Sequence, residues 1–502
     1  MKRQWPLLVP VVLLAVFILT TISEAANGKV VAGSFHTMLI KTDGTLWAWG
    51  DNSSGQLGDG TTTNQSSPTQ VETGTDWAVV RGGYAPQTVA IKSNGTLWAW
   101  GNNSGGQLGD GTTANKSSPT QVETATNWST ISAGDSHTVA IKTDGTLWAW
   151  GSNTYGQLGN GTTTQQFSPS QIGTATNWSA VAAGQFHTIA IKTDGTLWAW
   201  GWNLSGQLGD GTTADKSSPI QVGTTVNWNA VAAGYAHTIA LRSDGTLWAW
   251  GLNSNGQLGD GSTTAIHSPK KVGTGSSWAV VAAGDSHTIA IMSDGTLWTC
   301  GKNDSGQLGD GTTTQKNDLT KIGSATSWTV IAGGARHTAA LQSDGTVWAW
   351  GDNSRGQLGD GTTTNSSSPV KLGVTDEEEE GCFIATAAFG SYFHPYVSIL
   401  RSFRDTFLIP NSIGRSFVAW YYRVSPAVAD EIRHNKFMKT GVRILLLPLV
   451  GLSYLFLKIG LIKGILILLV IGAMVYIKIR KLYLPAQASP SAHGHLMKRL
   501  PC

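Results

Sequence analysis

The run His187-Thr-Ile-Ala-Ile-Lys-Thr-Asp-Gly-Thr-Leu-Trp-Ala-Trp-Gly201 decides the fold. Asp194-Gly195 separates two short, β-branched or aromatic segments, and Asp-Gly is the strongest short hairpin signal. Along the second segment the residues alternate, so Trp198 and Trp200 share one face while Leu197 and Ala199 share the other. Upstream, Trp178-Ser-Ala-Val-Ala-Ala-Gly184 reads as another short strand. Downstream, Trp202-Asn-Leu-Ser-Gly-Gln-Leu-Gly-Asp-Gly211 is a Gly-rich connection to Ser218-Pro-Ile-Gln-Val222. Pro219 suits the start of an edge strand and excludes a central one. The unit therefore holds four antiparallel strands.

This unit occurs seven times. Its third strands end at Gly50, Gly101, Gly151, Gly201, Gly251, Gly301 and Gly351, spaced by 51 residues once and then by 50. Such a period decides architecture before anything else does. Seven four-stranded units predict an all-β, seven-bladed propeller over residues 28–373. A solenoid would need distinct end caps, and none is apparent. Residues 28–33 form a first strand that lacks its Trp, so the ring is expected to close by residues 29–33 completing the last blade.

The motif HTxAIxxDGTLWAWGxNxxGQLGDGT resembles the repeat of the regulator-of-chromosome-condensation family. The resemblance implies a seven-bladed propeller. That family includes a nuclear guanine-nucleotide exchange factor and a secreted bacterial inhibitor of β-lactamases. Exchange activity does not carry over, because the blades are nearly equal in length and carry no inserted loop to act as a wedge.

Composition agrees with many short strands and tight turns: 62 Gly and 22 Trp in 502 residues, with only 13% charged. The net charge of +3 is unevenly spread. Residues 382–502 hold 15 Lys/Arg against 3 Asp/Glu, which leaves the rest of the chain at −9. An acidic body excludes nucleic acid as the expected partner. Three cysteines, Cys300, Cys382 and Cys502, are too few for a disulfide framework or a zinc site.

Residues 1–25 read as a signal peptide, with Lys2 and Arg3, an apolar stretch from Leu7 to Leu19, and cleavage at Ala25. An uncleaved anchor is the alternative, and either one exports the body. After the propeller come an acidic linker (374–381), an amphipathic helical region (382–443), one or two transmembrane segments (444–481) and a basic polar tail (482–502). The stretch from Gly381-Cys382-Phe-Ile-Ala-Thr resembles the CFI-box C-terminal domain of exported bacterial proteins. The resemblance implies sorting or anchoring. Cys382 is a candidate processing or anchoring site, with a plain buried cysteine as the alternative. A single span at 459–479 would place Lys478, Arg480 and Lys481 in the cytoplasm. A two-span hairpin stays open.

Catalysis is not expected, since no nucleophile–base pair and no GxSxG occur. No cofactor is expected, because the Gly-rich loops lack the ending of a phosphate loop. His36, His137, His187, His237, His287 and His337 share one position and read as blade-internal, backbone-bonded residues, not as metal ligands. The GDGT aspartates read as turn formers. Positions that vary between copies cluster in the GxxH and GxNxxG loops, which emerge on one face of an up-and-down propeller. The candidate binding face is Tyr155, Trp202, Leu204, Leu252, Phe186, Tyr235, Lys302 and Arg355. Aromatic and Arg side chains are what protein-binding surfaces use. The expected function is a non-catalytic protein-binding scaffold tethered to the bacterial cell envelope. Its partner would be an unidentified envelope or extracellular protein. A carbohydrate or surface-polymer adhesin and a ligand-free structural spacer are the alternatives.

Overall fold

Each Asp-Gly turn folds its flanking segments into an antiparallel pair. In the fourth repeat His187 opposes Gly201, Thr188 opposes Trp200 and Ile191 opposes Leu197. The turn needs its glycine, because Gly195 has φ of 76°. The computed structural model describes residues 29–273 and 275–375, together with isolated helical positions between 396 and 450. The chain divides into two units, Met1–Glu379 and Glu380–Cys502. The first unit contains seven four-stranded sheets, each built from consecutive strands. Blade 1 runs from Lys29 to Gln70 and blade 7 from Trp328 to Thr375. The last strand extends to Thr375, two residues into the expected linker. The cleavage site at Ala25, Cys382, the rest of the linker, and the CFI-box-like, transmembrane and tail segments lie outside the described residues, isolated helical positions aside. No helix of the described residues is long and apolar enough to cross a membrane.

Neighbouring blades are joined by a repeated junction around one buried carbonyl. Gln157 C=O, in the loop after the third strand of blade 3, accepts Trp200 Nε1–H at 2.9 Å and Thr188 Oγ1–H at 2.9 Å. Both donors belong to blade 4. Because the threonine hydroxyl is donating there, its lone pair accepts from the histidine of the preceding blade, here His137 Nε2 at 3.2 Å. The His–Thr contact recurs at 2.9–3.3 Å in six of the seven junctions. In the remaining one, Gln87 replaces histidine and reaches backbone carbonyls of blade 3 at 3.4 and 3.5 Å instead. The histidines thus bridge blades and are not blade-internal. The imidazole lies over the Gly of its own GxxH turn, where a Cβ on Gly184 would stand 2.2 Å from His187 Cε1.

The tryptophans complete the packing. Trp200 is fully buried against Val139, Ile141, Leu147 and Leu158 of blade 3. Trp178 stands edge-on to both Trp198 and Trp200 at 5.9 and 6.1 Å. Blade 6 departs from this pattern. Cys300 occupies the buried tryptophan position, and Leu319 replaces the usual strand proline. Both side chains lie against Gly259, where the other blades place an indole. Two smaller groups fill the space of one large one.

Ring closure differs from the sequence expectation. Residues Lys29–Ala32 pair with Thr37–Ile40 of their own blade, and blade 7 is filled by its own four strands. The physical reason is supply. The last copy has no vacant edge, and a hairpin to the adjacent strand costs far less loop entropy than any distant pairing. Blades 7 and 1 are held by the same junction as the others. Trp49 Nε1 and Thr37 Oγ1 donate to Gln357 C=O at 3.0 and 2.8 Å, and His337 Nε2 meets Thr37 at 2.9 Å.

Burial holds the six imidazoles neutral, at about 3 to 4 against an ordinary 6.5. Their Nδ1 atoms have no acceptor to take a second proton. A depressed folded value means stability that is present above pH 6.5 and lost as pH falls toward 3. At pH 5, unfolding should therefore take up about six protons at these sites, measurable by calorimetry in buffers of different ionisation enthalpy. His187→Gln, which copies the residue native to blade 2, should lower the uptake by about one. An uptake near zero would refute the assignment.

Candidate functional site

The junctions leave both variable loops of each blade on one face, braced from beneath. In blade 4 the GxNxxG loop is fixed by its asparagine. Asn203 Nδ2 donates to Asp210 Oδ1 at 3.1 Å, and Leu208 N–H donates to Asn203 Oδ1 at 3.0 Å. Trp202 N–H donates to Phe186 C=O at 2.9 Å, which zips this loop to the GxxH loop of the same blade. The Asp210 carboxylate accepts from Thr212 and Asn203 and pairs with Lys216 at 3.4 Å, so it forms a turn. Among the described residues no group of three His, Cys, Asp or Glu is placed to hold a metal ion.

Four of the candidate residues form a ring-to-ring patch across three blades. Tyr155 lies 5.2 Å from Phe186 and 6.1 Å from Trp202; Phe186 and Trp202 are 6.1 Å apart, and Tyr235 is 6.2 Å from Trp202. Edge-on and tilted geometries at these separations are favourable for aromatic pairs. Phe186, Trp202 and Tyr235 are half-buried and Tyr155 is exposed. Leu204, in the same loop as Trp202, is 67% exposed, and Leu252 is the half-buried counterpart of Trp202 in blade 5. The two cationic candidates sit in blades 6 and 7, each paired: Lys302 with Asp304 at 3.2 Å and Arg355 with the buried Asp51 at 3.2 Å.

Tyr84, Asp135 and Asp285 also lie in the variable loops that lead into the second strands of their blades. Asp135 and Asp285 follow the glycine of a GxxH turn, Tyr84 follows Gly83 of the longer turn that ends at Gln87 in blade 2, and the three converge near the axis of the ring. Tyr84 reaches from blade 2 to blade 5, where its hydroxyl donates to Ala233 C=O at 2.9 Å. Burial, with Asp285 nearby, holds that phenol well above its ordinary range. Asp135 is held by Ser136 Oγ at 2.9 Å and by Gln185. Asp285, from the opposite side of the ring, is half-buried as a residue, but its Oδ1 is sealed from solvent without a hydrogen-bond partner. Burial pushes its carboxyl up to about 6; Asp135 adds to the rise, while Arg336 and Lys302 oppose it. No local signal marks Asp285, since an Asp after Gly is an ordinary turn residue.

A raised carboxyl value means stability that is present at low pH and lost as pH rises through 6. Asp285→Asn removes the charge. The variant should therefore gain on the native chain by on the order of 1 kcal/mol between pH 5 and pH 7. Paired thermal melts at the two pH values measure this, and an Asn variant that loses stability at pH 7 would contradict it.

Residues 87–394 match the RCC1-like domain family, and residues 29–56 and 43–84 match the regulator of chromosome condensation (RCC1) repeat. The chain is similar to the ultraviolet-B receptor UVR8 of Arabidopsis thaliana, with 34% identity over 106 residues covering 21% of this chain and 24% of that one. It is also similar to the RCC2 homolog of Danio rerio, with 38% identity over 93 residues covering 18% and 19%. The chain thus spans about a quarter or less of the length of these curated relatives. Among solved structures, Prp20p from Saccharomyces cerevisiae aligns with a TM-score of 0.60 at 22% identity, covering 70% of this chain and 88% of that one. Human WBSCR16 gives 0.60 at 22% identity, covering 66% and 94%. These likenesses are of fold.

Proposed function

Because the chain belongs to the RCC1-like domain family, we propose that it is a non-catalytic, protein-binding propeller that engages its partner through the face bearing Tyr155, Phe186, Trp202 and Tyr235. The observation that carries this reading is the four-ring patch. The GxxH and GxNxxG backbones are bonded alike in blade after blade, so the fold does not require aromatic residues at these positions. Side chains of this kind, packed together and partly exposed, are the usual anchors of protein interfaces. Relatives are consistent with such a role: one structure concerns the binding of Prp20p to Gsp1p and histones, and another has Kap60 bound to yeast RCC1 (Prp20). The reading includes export by the N-terminal signal and tethering of the propeller to the bacterial envelope by residues 444–481. The envelope or extracellular partner is unidentified.

Two experiments test it. Trp202→Ala should weaken partner binding tenfold or more, about 1.4 kcal/mol, with little change in melting temperature. Trp200→Ala, two residues away in the blade junction, should instead destabilise the fold by about 3–5 kcal/mol. Equal destabilisation by both would remove Trp202 from the surface. If soluble glycans bind in a Trp202-dependent way and envelope proteins do not, the adhesin alternative replaces this reading. For topology, a reporter fused after Gly373 should be active only outside the cytoplasm, and activity inside would overturn the exported assignment.

A further inference from the structure

The aromatic patch and the axial carboxylates sit on neighbouring turns that are hydrogen-bonded to one another. Tyr235 N–H donates to Asp285 C=O at 3.2 Å, so the ring at one end of the patch and the carboxylate sit on bonded turns of blades 5 and 6. Gln185 immediately precedes Phe186, and Asp135 N–H donates to Gln185 C=O at 3.1 Å, which joins the turns of blades 3 and 4 in the same way. From blade 2 to blade 6 the residues that follow the turn glycines are thus Tyr84, Asp135, Gln185, Tyr235 and Asp285.

The polar atoms of this region are mismatched in one direction. Asp285 Oδ1 and Gln185 Oε1 are both buried and both lack a hydrogen-bond partner. Each is an acceptor. Three donors of the neighbourhood are already committed, the Gln185 amide and Ser136 hydroxyl to Asp135 and the Tyr84 hydroxyl to Ala233 C=O. Arg336 and Lys302 ease the charge of Asp285 through space without a hydrogen bond to Oδ1. A buried acceptor without a donor costs free energy, and two of them beside a second carboxylate call for a group that only donates and carries positive charge. An ammonium or guanidinium fits. Half-exposed aromatic rings next to it would hold the aliphatic stem of such a side chain and add attraction to its charged end.

We propose that the mouth of the propeller axis captures a lysine or arginine side chain presented by the partner protein, with its stem across Phe186, Trp202 and Tyr235 and its charged end at Asp285, Gln185 and Asp135. This rests on the protein-binding reading of the same face and names what that face selects.

The test uses the full chain as bait for a random dodecapeptide display library, followed by synthetic copies of the enriched peptides. Binders whose affinity falls at least tenfold with Trp202→Ala should share a lysine or arginine. Replacing that residue by norleucine should cost at least tenfold on the native chain and less than twofold on Asp285→Asn. That cycle separates direct contact from general damage to the surface. The melting temperature of Asp285→Asn, unchanged or raised at pH 7, shows that the fold is intact. Trp202-dependent peptides without a shared basic residue overturn this inference and leave the protein-binding reading standing. So do binders whose norleucine penalty persists on Asp285→Asn. A library that yields no Trp202-dependent binder overturns both.

Discussion

One carbonyl per junction carries the architecture. The backbone oxygen of Gln157, and of its counterparts in the other blades, is buried between two sheets that share no strand and no ladder hydrogen bond. It accepts two donors from the next blade, a tryptophan Nε1–H and a threonine hydroxyl. Each bond is worth only about 1 kcal/mol net, but a buried carbonyl without a partner costs more than that, so the arrangement is close to obligatory. No blade satisfies its own carbonyl, and each supplies the donors for its predecessor's. A single blade is therefore incomplete, and the only way to leave none incomplete is to close the ring.

The same junction explains the histidines. The threonine hydroxyl has given its hydrogen to the carbonyl and can only accept, so the imidazole must present Nε2–H and remain neutral. The junction takes up one ring nitrogen, Nε2, of each of the six histidines. The exceptions show which parts are dispensable. Blade 2 replaces histidine by Gln87, and at its junction with blade 3 Thr138 and Trp150 still donate to Gln107 C=O. Blade 6 replaces tryptophan by Cys300, keeps the threonine bond, and fills the lost volume with Leu319. One element is exchanged in each case while the carbonyl stays occupied.

Rigidity beneath leaves freedom above. With both loop backbones fixed by asparagine, glycine and inter-loop hydrogen bonds, their side chains are released from any duty in folding. In blades 3 to 5 that freedom is used for a packed set of rings. Near the axis it is used for carboxylates that the fold would be more stable without. Groups that burden stability while packing against a partly exposed surface are a recognised mark of function.

The number of blades, the four strands in each, and the loops in which variation gathers are legible in the sequence. These are local matters: Asp-Gly turns, alternation of Trp198 and Trp200 about Ala199, and a period of 50 residues. The contact of Tyr155 with Trp202 follows from that period, since adjacent copies become adjacent blades. Tertiary structure alone decided the rest. That residues 29–32 stay in blade 1 depends on whether blade 7 has a free edge, which no local pattern states. That Tyr84 bonds Ala233, and that Asp285 faces Asp135, depends on residues about 150 apart meeting across the axis. Periodicity records which copy is next in line; only closure of the ring determines which copies stand opposite.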